Sequence, residues 1–248
     1  AAGAAGGGTY VDDVFSNDVW AGDGAAHRVV NGIDIAGEGG MVWTKCRTNT
    51  YSHLVADTER GYNYAVFPDG YQDGPNDNYF KAFHNDGFTT GDWVGANQSG
   101  QNFAGWTFRK AKGFFDVVTW TGNATNSSSP PRQIAHSLGS VPGAIWIKCT
   151  TANQSWACYH ESLGATRYMH LNDNGTGGTS AAWWNNTEPT STHFTLGYDG
   201  QVNETGHNYV AYIFAGGKST AATARSISLD GSNDGLKTTS SSDYDFGT

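Results

Sequence analysis

Gly40-Met41-Val42-Trp43-Thr44-Lys45-Cys46-Arg47-Thr48 and Gly143-Ala144-Ile145-Trp146-Ile147-Lys148-Cys149-Thr150-Thr151 are one pattern written twice, 103 positions apart. Each places a tryptophan and β-branched residues in a short run, which reads as a strand. Two more blocks repeat in the same order. Gly87-Phe88-Thr89-Thr90-Gly91 returns as His193-Phe194-Thr195-Leu196-Gly197, and Gly100–Phe108 returns as Gly206–Phe214, both 106 positions on. Trp20-Ala21-Gly22-Asp23 against Trp120-Thr121-Gly122-Asn123 extends the match toward the start. A repeat this regular means one unit used twice, each copy presenting apolar faces for its neighbour.

Working outward, turn signals are dense. Asp-Gly or Asn-Gly stands at 23–24, 31–32, 69–70, 73–74, 86–87, 174–175 and 199–200, pairs that accept the positive φ of tight hairpins. Windows with helical periodicity over three turns are missing, so helix is expected in single turns only. The expected fold is all-β: two tandem copies of a β-sandwich-like module of about 100 residues. The copies span 10–113 and 114–217. Residues 1–9 read as a Gly/Ala linker from an upstream region, and 218–224 as an Ala/Thr/Ser linker. The chain is expected to be an excerpt of a longer protein. The copies are expected to pack end to end.

The bulk numbers narrow the function classes. Among 248 residues there are 34 glycines, 15% charged and 13% aromatic residues, and the formal net charge is −9. That aromatic content argues against disorder. The negative surface repels phosphate, so neither nucleic acid nor membrane insertion is expected, and no apolar run approaches the roughly 20 residues that cross a bilayer. Cys46, Cys149 and Cys158 are an odd set. Cys149 and Cys158 can face each other across a hairpin centred on Asn153-Gln154; the plainer reading is three buried thiols.

Catalytic constellations do not emerge. The sequence lacks a nucleophile elbow, a phosphate-cradling loop, His-Glu-x-x-His and Cys-x-x-Cys, and nothing sets two carboxylates across a cleft. Asp57-Thr58-Glu59-Arg60-Gly61 reads as a turn held by an Asp57–Arg60 pair. Asp69, Asp73, Asn76 and Asp77 supply oxygens for a structural calcium ion, although Tyr71 and Phe80 break the EF-hand pattern; the ordinary reading is a solvated turn. No other cofactor is expected. Lys45 and Lys148 are expected to lay their stems along the sheet with the ammonium in water, and Trp43 and Trp146 to sit in the core. Trp183, Trp184 and Tyr198 are the candidate sugar platform, although adjacent strand residues point to opposite faces, which puts one tryptophan in the core.

The order Tyr10-Val11-Asp12-Asp13-Val14-Phe15, Asn31-Gly32-Ile33-Asp34, Gly37–Lys45, Asp57–Gly61, Ala104–Lys110, Phe115–Gly122 and His136–Gly143 resembles an uncharacterised duplicated repeat family. That family occurs in tail-fibre-like structural proteins of tailed phages, notably marine ones. The stretch 225–248, with Arg225-Ser226-Ile227-Ser228-Leu229-Asp230-Gly231, resembles the opening strands of a laminin-G or concanavalin-like domain. The resemblance implies a non-enzymatic virion component: a rigid β spacer leading to a glycan-binding region. It also implies self-association, with a homotrimer expected, contact with other virion proteins, and a host surface glycan reached through the downstream domain. The alternatives are a stand-alone carbohydrate-binding module, a prokaryotic surface adhesin or filament subunit at the cell surface, and, further off, a polysaccharide depolymerase.

Overall fold

A computed structural model describes residues 10–69, 75–172 and 177–217. The two linkers and the laminin-G-like stretch lie outside the described residues. In chain order the first copy runs α1 (Val11–Val14), β1 (Phe15–Ala21), β2 (Arg28–Val30), α2 (Ile35–Glu38), β3 (Gly40–Cys46), β4 (Leu54–Asp57), β5 (Gly61–Val66), β6 (Phe80–His84), β7 (Gly87–Thr90), α3 (Val94–Asn97) and β8 (Asn102–Arg109). The second runs β9 (Phe115–Thr121), β10 (Arg132–Ala135), β11 (Pro142–Cys149), β12 (Ala157–His160), β13 (Arg167–His170), β14 (Gly178–Thr179), α4 (Ala181–Trp184), β15 (His193–Leu196) and β16 (Asn208–Ala215). The fold is all-β, as the turn density requires, and each described helix is a single turn.

The duplication is written in the sheets. The large sheet of the first copy orders its strands β1-β8-β3-β4-β5, and that of the second orders them β9-β16-β11-β12-β13-β14. Small sheets β2-β7-β6 and β10-β15 stand beside them. Registers match as well: Phe15 opposes Phe108 and Trp20 opposes Phe103, while Phe115 opposes Phe214 and Trp120 opposes Tyr209. The repeated glycines of the Trp-x-Gly motif have a steric cause. A Cβ on Gly22 would lie 2.2 Å from the Gln98 carbonyl oxygen, and one on Gly122 2.0 Å from that of Glu204, so only glycine permits the backbone approach.

Each copy packs its small sheet on its large one. Val29, Val42, Leu54, Ala56, Ala65, Phe80 and Phe88 close the first sandwich. Trp120, Ile145, Ile147, Tyr159, Phe194 and Ile213 close the second. A third core lies between the copies. Met41, Val55 and Val66 from the first large sheet meet Phe115, Val117, Trp156, Cys158, Val210 and Tyr212 from the second. The copies therefore stack back to back through the outer faces of their large sheets, not end to end. The centre of each large sheet is covered on both sides, which explains why Met41-Val42-Trp43 is continuously apolar and does not alternate. Up to Gly216 the chain is one compact unit; of the second unit, 217–248, only Gly217 is described.

Equivalent residues meet each other at this seam. Trp43 stands edge-on to Trp146 with ring centroids 5.9 Å apart, and Phe108 meets Phe214 at 5.7 Å. Each partner is its counterpart in the other copy, the pattern of an isologous contact.

The thiols are free and buried. The β11–β12 register sets Cys158 opposite Trp146, and the two cysteines lie in different cores, Cys149 within the second sandwich and Cys158 at the seam. The proposed hairpin facing is thus offset by three residues and by a face. Lys148 also departs from expectation. It is fully buried and its ammonium donates to the Gln154 carbonyl, whereas Lys45 is half-buried.

Candidate functional site

The seam is sealed by a polar network as well as by apolar packing. The turn between β4 and β5 is held by its predicted pair: the Arg60 guanidinium donates through Nε to Asp57 Oδ2 at 2.8 Å, and the Arg60 backbone N–H donates to Asp57 Oδ1 at 3.0 Å. Arg60 also reaches into the other copy, donating to the Tyr212 hydroxyl at 3.0 Å, and that hydroxyl donates to Asp57 Oδ2 at 2.8 Å. Asp57 is fully buried and Tyr212 nearly so. Burial opposes the charge on Arg60, but the adjacent carboxylate outweighs it and holds the guanidinium firmly protonated. Burial pushes the Tyr212 hydroxyl well above its ordinary range, so it stays neutral and keeps its donor proton.

Beside this network a cleft of about 490 Å³ opens between the copies. Its first wall is the β4–β5 hairpin, with Glu59, Arg60 and Tyr64. Its second wall is the outer face of the second large sheet, with Thr119 and Thr121 of β9, Thr150 just after β11, and Asn208 of β16. Strand alternation explains the second wall. Along β9 the outward row is Phe115, Val117, Thr119, Thr121, and along β16 it is Tyr212, Val210, Asn208. Each row is apolar and buried where the first copy covers it, and polar and exposed beyond that edge. The polar groups are already ordered: the Thr121 hydroxyl donates to Asn208 Oδ1 at 2.8 Å and the Thr150 hydroxyl to the Asn208 carbonyl at 3.1 Å.

The charges around the cleft are paired internally. Lys110, on the segment joining the copies, binds Glu59 at 2.8 Å and Asp116 at 3.3 Å. Burial disfavours its charge, but the hydrogen bond to Glu59 and the nearby Asp116 outweigh that and raise its pKa. Asp116 Oδ2 in turn accepts from the Ser137 backbone N–H at 2.7 Å and the Ser137 hydroxyl at 2.9 Å. Tyr64 is the rim aromatic, 41% exposed.

The sequence-predicted platform does not form. Trp183 and Trp184 lie on α4, whose start is capped by Ser180 accepting from the Ala182 N–H at 3.1 Å. A helical turn carries both rings into the second core, where Trp183 stacks on Tyr168 at 3.7 Å and Trp184 meets Tyr159 edge-on. Tyr198 remains exposed, in the loop after β15. Of the calcium candidates, Asp73 lies outside the described residues. Asp69 Oδ1 accepts from the His53 backbone N–H, and Asn76 Oδ1 from that of Asn78. Among the described residues no three His, Cys, Asp or Glu side chains gather as a metal site. The Glu59–Arg60 turn stands out in the sequence as a turn, and Thr121, Thr150 and Asn208 fall within repeated blocks that read as strand cores, but none reads as a binding residue; the signal available was the hydroxyl end of an otherwise apolar alternating row.

Fold and site together define a fused double β-sandwich with a polar cleft at its seam. The chain belongs to a family described as a domain of unknown function, DUF7483, whose model matches residues 11–236. No curated protein and no solved structure matches it. Among the described residues no helix is long and apolar enough to cross a membrane.

Proposed function

We propose that this chain is a rigid structural and adhesive segment of a phage virion appendage, a tail or head fibre, acting through shape and binding without a reaction centre. The observation that carries the proposal is the shared seam core. Two sandwiches are packed directly on each other through Trp43–Trp146, Phe108–Phe214 and the Asp57–Arg60–Tyr212 network, and that suits a load-bearing spacer. Self-association as a homotrimer fits an exposed apolar strip on the first large sheet, where Val19 is 65% exposed and Trp43, Trp106 and Phe108 line a notch of about 220 Å³. A laminin-G-like region beginning at residue 225 would then present the chain to host glycan.

The test is immunogold labelling of particles produced from the same genome, with antibody raised against the 248-residue chain. Decoration of a fibre is the expected result. Antigen confined to the lysate and missing from purified particles overturns the proposal.

A further inference from the structure

We infer that the inter-copy cleft is itself a binding site for a neutral, hydroxyl-rich glycan, with Tyr64 as the stacking platform and Thr121, Asn208 and Thr150 as the hydroxyl-reading wall. This goes beyond the spacer role, because it places sugar contact inside the duplicated unit and not in a region downstream.

Three observations converge. The first is chemical. The lining is hydroxyl, amide and aromatic: Tyr64, Thr119, Thr121, Thr150, Thr151 and Asn208. Hydroxyls and amides both donate and accept, which is what sugar hydroxyls require. The second is electrostatic. Glu59 pairs with Lys110, which it shares with Asp116, and Arg60 pairs with Asp57, so the cleft offers no unpaired cation to an anionic ligand. The third comes from the repeat. Thr119 and Thr121 occupy the places that Val19 and Ala21 hold in β1, as the matching registers show. The sheet therefore accepts apolar residues there, and β-propensity alone does not demand hydroxyls. The volume of about 490 Å³ lies within the usual range for small-ligand sites. Tyr64 extends from the outer face of β5, exposed and beside the polar wall, and an exposed aromatic ring of this kind can stack on a pyranose.

The experiment applies the full 248-residue chain to an array of neutral oligosaccharides of glucose, mannose, galactose and N-acetylglucosamine, with sulfated and sialylated counterparts. The strongest binder is then titrated in solution. At least one neutral class binds, with little response to salt. Tyr64→Ala and Thr121→Val each weaken it by about tenfold or more, with unfolding midpoint unchanged, and Tyr198→Ala leaves it as it was. No retention of any neutral oligosaccharide overturns the inference. So does salt-sensitive binding of the charged sugars alone, or neutral binding that survives both cleft substitutions. Particle labelling reads the spacer role independently, so either conclusion can fail without the other.

Discussion

The two copies share strand order and register, yet their outer faces have diverged in opposite directions. Beyond the seam, the first copy shows Val19, Ala21 and a half-exposed Trp106; the second shows Thr119 and Thr121, and its counterpart of Trp106 is the buried Tyr212. The inner faces are both packed with aromatic and aliphatic side chains. The difference teaches that the sandwich interiors define the repeat, while the outer faces are free to diverge, one apolar and one hydroxyl-bearing. It also shows that the seam is unsymmetrical in its polar part. Arg60 of the first copy reaches Tyr212, but its counterpart in the second copy is Leu163, 38% exposed.

The largest expected effect breaks that asymmetry. Arg60→Leu leaves the Asp57 carboxylate buried without its cation and lowers unfolding free energy by about 3–5 kcal/mol. Leu163→Ala, at the matching place, costs less than about 1 kcal/mol. Urea titrations of both variants measure the gap; equal losses would mean that the network contributes nothing particular to the seam.

Next in size is a pH effect at Lys148. Burial depresses its pKa to about 8, from 10.5 for the unfolded chain. Between those values the unfolded chain holds the proton and the folded one has released it, so this residue makes stability rise with pH across that window. Below about pH 8 both states are charged and the burial cost is constant. Lys148→Met removes the slope, so its stability advantage over the native chain shrinks from pH 8 to 10.5, by on the order of 3 kcal/mol at most. Parallel unfolding curves for both proteins over that range would sink the assignment.

The smallest effect sharpens the comparison of outer faces. Val19→Thr and Thr119→Val each change stability by no more than about 0.5 kcal/mol, since both positions are exposed. Thermal unfolding of dilute protein measures it. A loss above about 1 kcal/mol for Val19→Thr would reveal that the face is already covered in solution.

Much of the fold was legible because its signals are local. The repeated Trp-strand blocks became equivalent strands, the Asp57–Arg60 turn formed as the spacing suggested, and the Asn31-Gly32 and Asp23-Gly24 turns carry the positive φ their glycines allow. The seam was not legible, because back-to-back packing is a long-range fact. Its trace was the unbroken apolar run Met41-Val42-Trp43, which reads as a single strand core until both faces are known to be covered. Trp183 and Trp184 were misread because strand alternation was assumed where a capped helical turn occurs. The cleft escaped for a related reason: Thr119 and Thr121 become a wall only at the point where the other copy stops covering their row.

The self-meeting of Trp43 with Trp146 and of Phe108 with Phe214 carries one more consequence. A lone copy would leave Met41, Val55 and Val66, or Phe115, Val117 and Val210, open to water, and would hide them by pairing with an identical molecule. Such pairing weakens on dilution. Joining both halves by the short stretch from Lys110 to Phe114 replaces that dependence with a fixed effective concentration, in the millimolar range for a short tether. The association then persists at any dilution.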